Sequence, residues 1–142
     1  MDCRVTVVVD APAEAVWARL TDFAHWPEWN PACLEAAAET PLREGSLLDL
    51  RLVHPRGRDF YTRPRVARLE APRAIAWRAK GPGLRADTEV ELVPDEQGTL
   101  VTLTSSSGGP LGFTYRLTMR PRTQARLYLG MLDGLATSLE AG

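Results

Sequence analysis

Lysine is nearly missing from this chain of 142 residues: Lys80 stands alone against sixteen arginines. GC-rich coding produces that skew as readily as a binding role does, and composition alone does not separate the two; a bacterial source is the expectation. Eighteen acidic residues against seventeen basic ones leave a net charge of −1, so nothing in the charge balance argues for a nucleic-acid groove or an anionic membrane surface. No apolar run approaches the ~18 residues a membrane span requires. Met1-Asp2-Cys3-Arg4-Val5 is not a basic region leading into a hydrophobic run, so no signal peptide is expected. Cys3 and Cys33 are the only cysteines and make no metal-ligand spacing. A reduced, cytoplasmic chain is the expectation. No His/Glu cluster has zinc spacing, no Gly-x-Ser-x-Gly elbow supports a hydrolase triad, and Ser105-Ser106-Ser107-Gly108-Gly109 lacks the Gly-Lys-Ser/Thr ending of a phosphate loop. No metal and no cofactor are expected. Repeats and low-complexity linkers are missing too, so residues 1–142 read as one domain.

What is present is an ordinary globular composition, 44% hydrophobic and 25% charged, in a chain long enough to bury ~68–70% of its unfolded surface. The richest stretch is Asp10 to Pro31, DAPAEAVWARLTDFAHWPEWNP. It follows the β-branched run Val5 to Val9, which predicts a strand. Pro12 suits the first turn of a helix, and Glu14 sits near its positive end. Val16, Trp17 and Leu20 share one helix face and are expected to be buried. A second short turn carries His25, Trp26, Pro27 and Trp29. Trp17 and Trp26 read as helix-to-sheet packing, and His25 as a surface or capping residue.

Strand patterns follow. Leu34 to Glu39 is short. Ser46 to His54 sets Leu48, Leu50, Leu52 and His54 on one side. Phe60 to Leu69 reads as one strand interrupted by Pro64, which suits an edge or bulge. Ala74 to Ala79 puts Ile75 and Trp77 on one face. Leu84 to Val93 sets Ala86, Thr88, Val90 and Leu92 against Asp87, Glu89 and Glu91. Leu100 to Ser106 places Val101 and Leu103 together. Short turns between them make an antiparallel meander. The period then changes: Tyr128, Leu132, Leu135 and Leu139 form a helical stripe, and Pro121 begins that helix or kinks a longer one from near Pro110. The class is α+β, with a curved antiparallel sheet wrapped around a long C-terminal helix and two short helices after the first strand.

These residues resemble the START-like, helix-grip proteins of the SRPBCC superfamily, in particular the polyketide cyclase/dehydrase branch. The opening Asp10–Pro31 stretch carries the likeness, with Val66 to Trp77 (VARLEAPRAIAW), Gly98-Thr99 before Val101, and Ser107 to Leu111 entering the last helix. It runs from Val5 to Leu139. The resemblance implies an apolar cavity between sheet and helix. Members bind lipids, hormones, pigments, aromatic metabolites or nascent polyketides; some only carry, and others cyclise, dehydrate or hydrolyse.

Candidate residues follow from the alternation. Trp29, Trp77 and Tyr128 are expected to face inward as ligand-binding walls, Tyr128 with a polar tip, against the plainer reading of core packing. Thr88 and Ser105 share parity with inward apolar residues and would donate to a ligand or to the backbone. His54, on the Leu48–Leu52 side, is the candidate general base, with a solvated rim histidine as its alternative. Arg65 is the candidate for holding an enolate or carboxylate oxygen, although Arg63, Arg65 and Arg68 fit an outward face interleaved with Glu89 and Glu91 better. Cys33 reads as a buried thiol, and Arg56-Gly57-Arg58 as a solvated hairpin tip.

The expected function is recognition of a hydrophobic or aromatic small molecule in an internal cavity, with polyketide-type cyclisation or dehydration as its enzymatic form. Rivals are a non-catalytic lipid or metabolite carrier or sensor and a co-chaperone-like protein-interaction module. The partner expected is a small molecule, with no nucleic acid and no membrane insertion, on a monomer or homodimer.

Overall fold

The computed structural model describes residues 2–53, 59–81, 84–108 and 121–140. Its elements run β1 (Asp2–Val9), α1 (Ala13–Leu20), a 3-10 turn (Phe23–Glu28), β2 (Cys33–Ala38), β3 (Leu48–Val53), β4 (Asp59–Thr62), β5 (Arg65–Glu70), β6 (Ala74–Gly81), β7 (Leu84–Asp95), β8 (Gly98–Gly108) and α2 (Pro121–Glu140). Five strands pair antiparallel in the order β1-β8-β7-β6-β5, and three in the order β2-β3-β4. This is the α+β, helix-grip arrangement: α2 lies along β1 and touches α1.

Pro64 joins the two sheets. The long strand expected over Phe60 to Leu69 is two strands, because a residue without an N–H cannot continue the ladder. Pro64 is buried, and its carbonyl accepts from Leu48 N at 2.8 Å, while Val66 N donates to Ser46 O at 2.9 Å. The chain therefore leaves the three-stranded sheet at Thr62 and enters the five-stranded one at Arg65, with the start of β3 paired across the corner.

Alternation in each strand separates a dry face from a charged one. Val5, Val9, Leu48, Leu50, Val66, Ile75, Val90, Leu92, Val101 and Leu103 are buried on the concave side, where Leu132 and Leu135 of α2 meet them. The convex side carries ion pairs: Arg68 with Glu70 and Glu89, and Arg78 and Arg85 with Asp87. These are exposed pairs, each worth little.

Pro12 stands just before α1 as its cap residue, and its carbonyl accepts from Ala15 N and Val16 N. Val16 and Leu20 are fully buried. Trp17 corrects the expectation: it is only partly buried, packed at the edge of the core, because it lies beside the Val16–Leu20 line rather than on it. Trp26 is the buried one, and its indole N–H donates to Leu20 O at 2.8 Å. His25 lies on the surface between Asp22 at 2.8 Å and Glu28 at 3.8 Å.

The narrow end of the grip is laced by the β7–β8 hairpin. Gly98 turns with φ +135°, and any Cβ there would lie 2.1 Å from Val9 O, so glycine is required. Thr99 Oγ1 donates to Ala11 O at 2.7 Å, and Glu140 Oε1 accepts from Asp10 N at 3.2 Å.

Candidate functional site

Strand register sets the site. Cys3 lies opposite Ser105, Ser105 opposite Thr88, Thr88 opposite Trp77, and Trp77 opposite Val66. All five are buried, so one rung across the whole five-stranded sheet carries a thiol, two hydroxyls and an indole into the interior. The next rung toward the narrow end is dry: Val5, Leu103, Val90, Ile75 and Leu69. The rung on the other side is short, with Ser107, Ala86 and Ala79 in register and half-buried. Along the concave face the lining thus passes from large apolar side chains through a hydroxyl band to small residues.

α2 brings Tyr128 onto the hydroxyl band. Its phenol donates to Ser105 Oγ at 3.1 Å, and Thr88 stands opposite Ser105 in the strand register. Burial raises the phenol's pKa above its ordinary value, and the Ser105 and Thr88 contacts oppose that rise. Cys3, at the end of the same rung, has its thiol raised by burial as well. At neutral pH every one of these groups is protonated and uncharged. They can donate to and accept from an oxygen function; they cannot act as strong bases.

The aromatic wall comes from the 3-10 turn. Phe23 and Trp26 have ring centroids 4.6 Å apart, Trp26 and Trp77 5.8 Å, and Trp26 and Trp29 5.5 Å. Phe23 meets Trp77 edge-on at 6.1 Å. Trp29 is buried, yet its indole nitrogen has no hydrogen-bond partner among the described residues. The wall is continuous with the hydroxyl band through Trp77, cross-strand neighbour of Thr88.

Five of the expected residues, Trp29, Trp77, Thr88, Ser105 and Tyr128, therefore stand in one interior arc. Arg65 does not join it. It is exposed, and its guanidinium donates to Gly45 O at 3.0 Å, because Val66 takes the inward position and puts its neighbour outside. The expectation that Arg65 reaches the interior is not met. His54, the Arg56–Arg58 tip and the Gly109–Leu111 entry to the last helix lie outside the described residues. Cys33 is buried, with its thiol pushed up to about 11 by burial. Two features escaped the sequence reading: Cys3 on the polar rung, which the alternation with Val5 in β1 would have found, and the unpaired Trp29 nitrogen, which no sequence signal reveals. A separate open depression, lined by Val8, Asp10, Gln97 and Glu140, lies at the narrow end; two carboxylates without an apolar wall make it a solvated cleft.

A curved sheet closed by one long helix, with a polar band in an apolar interior, defines the helix-grip class of the SRPBCC superfamily. The family described as "Polyketide cyclase / dehydrase and lipid transport" matches residues 2–140, and the chain belongs to it. No curated protein matches it in sequence. Solved structures share the fold. A protein of Thermus thermophilus superposes with a TM-score of 0.81 at 14% identity, covering 99% of this chain and 98% of that one. One from Rhodobacter sphaeroides gives 0.79 at 22% identity, covering 99% and 92%. The di-domain ARO/CYC StfQ of the steffimycin biosynthetic pathway gives 0.77 at 15% identity; 96% of this chain is covered, and it spans 49% of that protein. Among the described residues no helix is long and apolar enough to cross a membrane, and no His/Cys/Asp/Glu group is placed to hold a metal ion.

Proposed function

We propose that this chain binds a hydrophobic or aromatic small molecule bearing oxygen functions, in the interior between the concave face and α2. The observation that carries the reading is the Tyr128–Ser105–Thr88 group. Burying three hydroxyls on an apolar face is costly unless they are hydrogen-bonded. Tyr128 and Ser105 bond each other, but three donors and their lone pairs exceed what that contact uses. A few convergent polar groups against apolar and aromatic side chains are the usual composition of a small-molecule site. The short, half-buried residues Ala79, Ala86 and Ser107 lie beside them, and the ligand is proposed to extend over them. Family membership and the likeness to StfQ support the same reading.

In the enzymatic form of this function, a polyketide-type cyclisation or dehydration, Tyr128 is the group suited to an enolate oxygen, since it stays protonated and donates. That role replaces the one expected of Arg65. His54 remains the proposed base. The carrier reading is favoured by a specific feature: the thiol and hydroxyls of the rung are all uncharged at neutral pH.

Titration of tryptophan fluorescence with a panel of flat aromatic and polyphenolic compounds tests binding. Saturable quenching that weakens in Trp77→Ala and in Tyr128→Phe is expected. A panel that neither binds nor perturbs the fluorescence overturns the reading in favour of a protein-interaction module. Turnover lost in His54→Ala with binding retained would establish the enzyme over the carrier.

A further inference from the structure

We infer that Gly130 is a hinge in α2, and that the helical turns before it part from the sheet to admit the ligand. The inference rests on the ligand-binding reading above and names the way into that site. The hydroxyl band is shut in this structure. Cys3, Trp77, Thr88 and Ser105 are each less than a tenth exposed, and Tyr128 lies over Ser105 with its phenol bonded to it. A ligand reaches that rung only if something covering it moves. The strands are poor candidates, since β1 pairs with β8, β8 with β7 and β7 with β6 in unbroken register. The element left to move is α2.

That helix is held unevenly. Met131, Leu132, Leu135 and Ala136 are buried, and all four follow Gly130. The same half is seated by Gly134 against the Trp29 carbonyl and fastened by Glu140, which accepts from Asp10 N. Before Gly130 the packing is looser. Ala125, Leu127 and Tyr128 are half-buried, and Arg126 and Leu129 are exposed. Among the described residues, the side-chain hydrogen bond that ties this half to the sheet is Tyr128 to Ser105.

Gly130 stands at the boundary between the two halves, and neither packing nor backbone conformation asks for it. Its φ is not in the left-handed region, where Gly45 and Gly98 lie. A Cβ there would meet only Pro31 Cγ, at 3.8 Å, whereas at Gly134, one turn on, a Cβ has no space. A glycine of this kind weakens the helix interior at that point with no compensating contact. Hinges are a few element positions, often small residues, that absorb the backbone change. Local openings are drawn from segments with few buried apolar contacts. The weak point, the loosely packed turns and the covered hydroxyl band therefore coincide.

Cys3 is a built-in reporter, because it is the cross-strand neighbour of Ser105, to which Tyr128 bonds. In Cys33→Ala, which leaves Cys3 the sole thiol, reaction with an aromatic disulfide reagent at about pH 8 is followed in urea below the unfolding transition. Labelling is expected through an opening whose urea dependence is shallower than that of global unfolding, since only part of the apolar surface is exposed. Adding Gly130→Ala should slow it about four- to fivefold, the helix-propensity difference expressed as a population. Labelling with the full urea dependence of global unfolding overturns the hinge. So does a partial opening that Gly130→Ala leaves unchanged, as fraying of β1 would be. Flavone, read by tryptophan fluorescence in rapid mixing, tests the route: Gly130→Ala should slow its entry and its release by the same factor and leave affinity unchanged. Entry of flavone at an unchanged rate overturns the route. A protein that opens at Cys3 as expected, yet binds neither flavone nor any compound of the panel, keeps the hinge and overturns the binding reading.

Discussion

Two glycines one turn apart on α2 should respond to alanine with opposite signs. Alanine is favoured over glycine in a helix interior by ~0.8–1.0 kcal/mol. At Gly130 the added methyl would meet only Pro31 Cγ at 3.8 Å, an ordinary contact, so Gly130→Ala should stabilise by about 0.5–1 kcal/mol. At Gly134 the methyl would lie 1.9 Å from Trp29 O and 3.2 Å from its carbonyl carbon, against an optimum of ~3.5–4.0 Å between non-bonded heavy atoms. The obstacle is backbone, held by the hydrogen bonds of the Trp29–Ala32 turn, so no side chain can swing aside. Overpacking of this kind typically costs ~1–3 kcal/mol, and here its upper end is expected. After the propensity gain, a net loss of about 2 kcal/mol remains. At this chain length ~1 kcal/mol corresponds to ~3–4 °C, so Gly130→Ala should raise Tm slightly and Gly134→Ala should lower it by roughly 6–8 °C. Urea titration gives the same comparison at constant temperature, with the slope of the unfolding line showing whether each native state stays compact. Two substitutions that shift stability in the same direction would refute the seating of α2 on the Trp29 carbonyl.

Trp26→Ala should cost ~3–5 kcal/mol, and Trp17→Ala, from a partly buried site, only ~1–2 kcal/mol; equal losses in chemical denaturation would contradict the burial difference. Tyr128 has a folded pKa raised by burial, so its stabilising contribution is complete below about 10, its ordinary value, and falls as pH rises through the folded value; Tyr128→Phe should flatten the alkaline limb of a stability–pH curve. His25, raised chiefly by its hydrogen bond to Asp22, should titrate by NMR above 6.5 and return toward it in Asp22→Asn; any stability it adds is present below 6.5 and fades as pH rises through its folded value. Cys3 and Cys33, both buried with raised pKa values, should resist a disulfide reagent at about pH 8 until denaturant is added; rapid labelling of native protein would show that one of them is open to solvent.

Strand and helix periods made most of this fold legible. The Thr88–Leu92 and Leu48–Leu52 alternations and the Tyr128–Leu139 stripe each named the face that meets the core, since a period of two or of 3.6 is a direct consequence of backbone geometry. Pro64 was legible as an interruption and not as a passage between sheets. The missing N–H is local, whereas the destination of the chain depends on pairing between Ser46–Leu48 and Pro64–Val66, segments distant in sequence. Trp17 went astray for a related reason: helical spacing places it near the buried line, and only packing decides how far that line extends.

The candidate site was legible to the extent that it follows parity. Thr88, Ser105 and Trp77 fall on inward positions, and their register makes them neighbours. Arg65 failed by the same rule, because the parity that puts Val66 inside puts Arg65 outside. What parity cannot reach is the state of a single atom. The Trp26 and Trp29 indoles belong to the same turn, stand 5.5 Å apart and are both buried. One N–H meets Leu20 O and the other meets no described residue, and that difference depends on where a single backbone carbonyl happens to point.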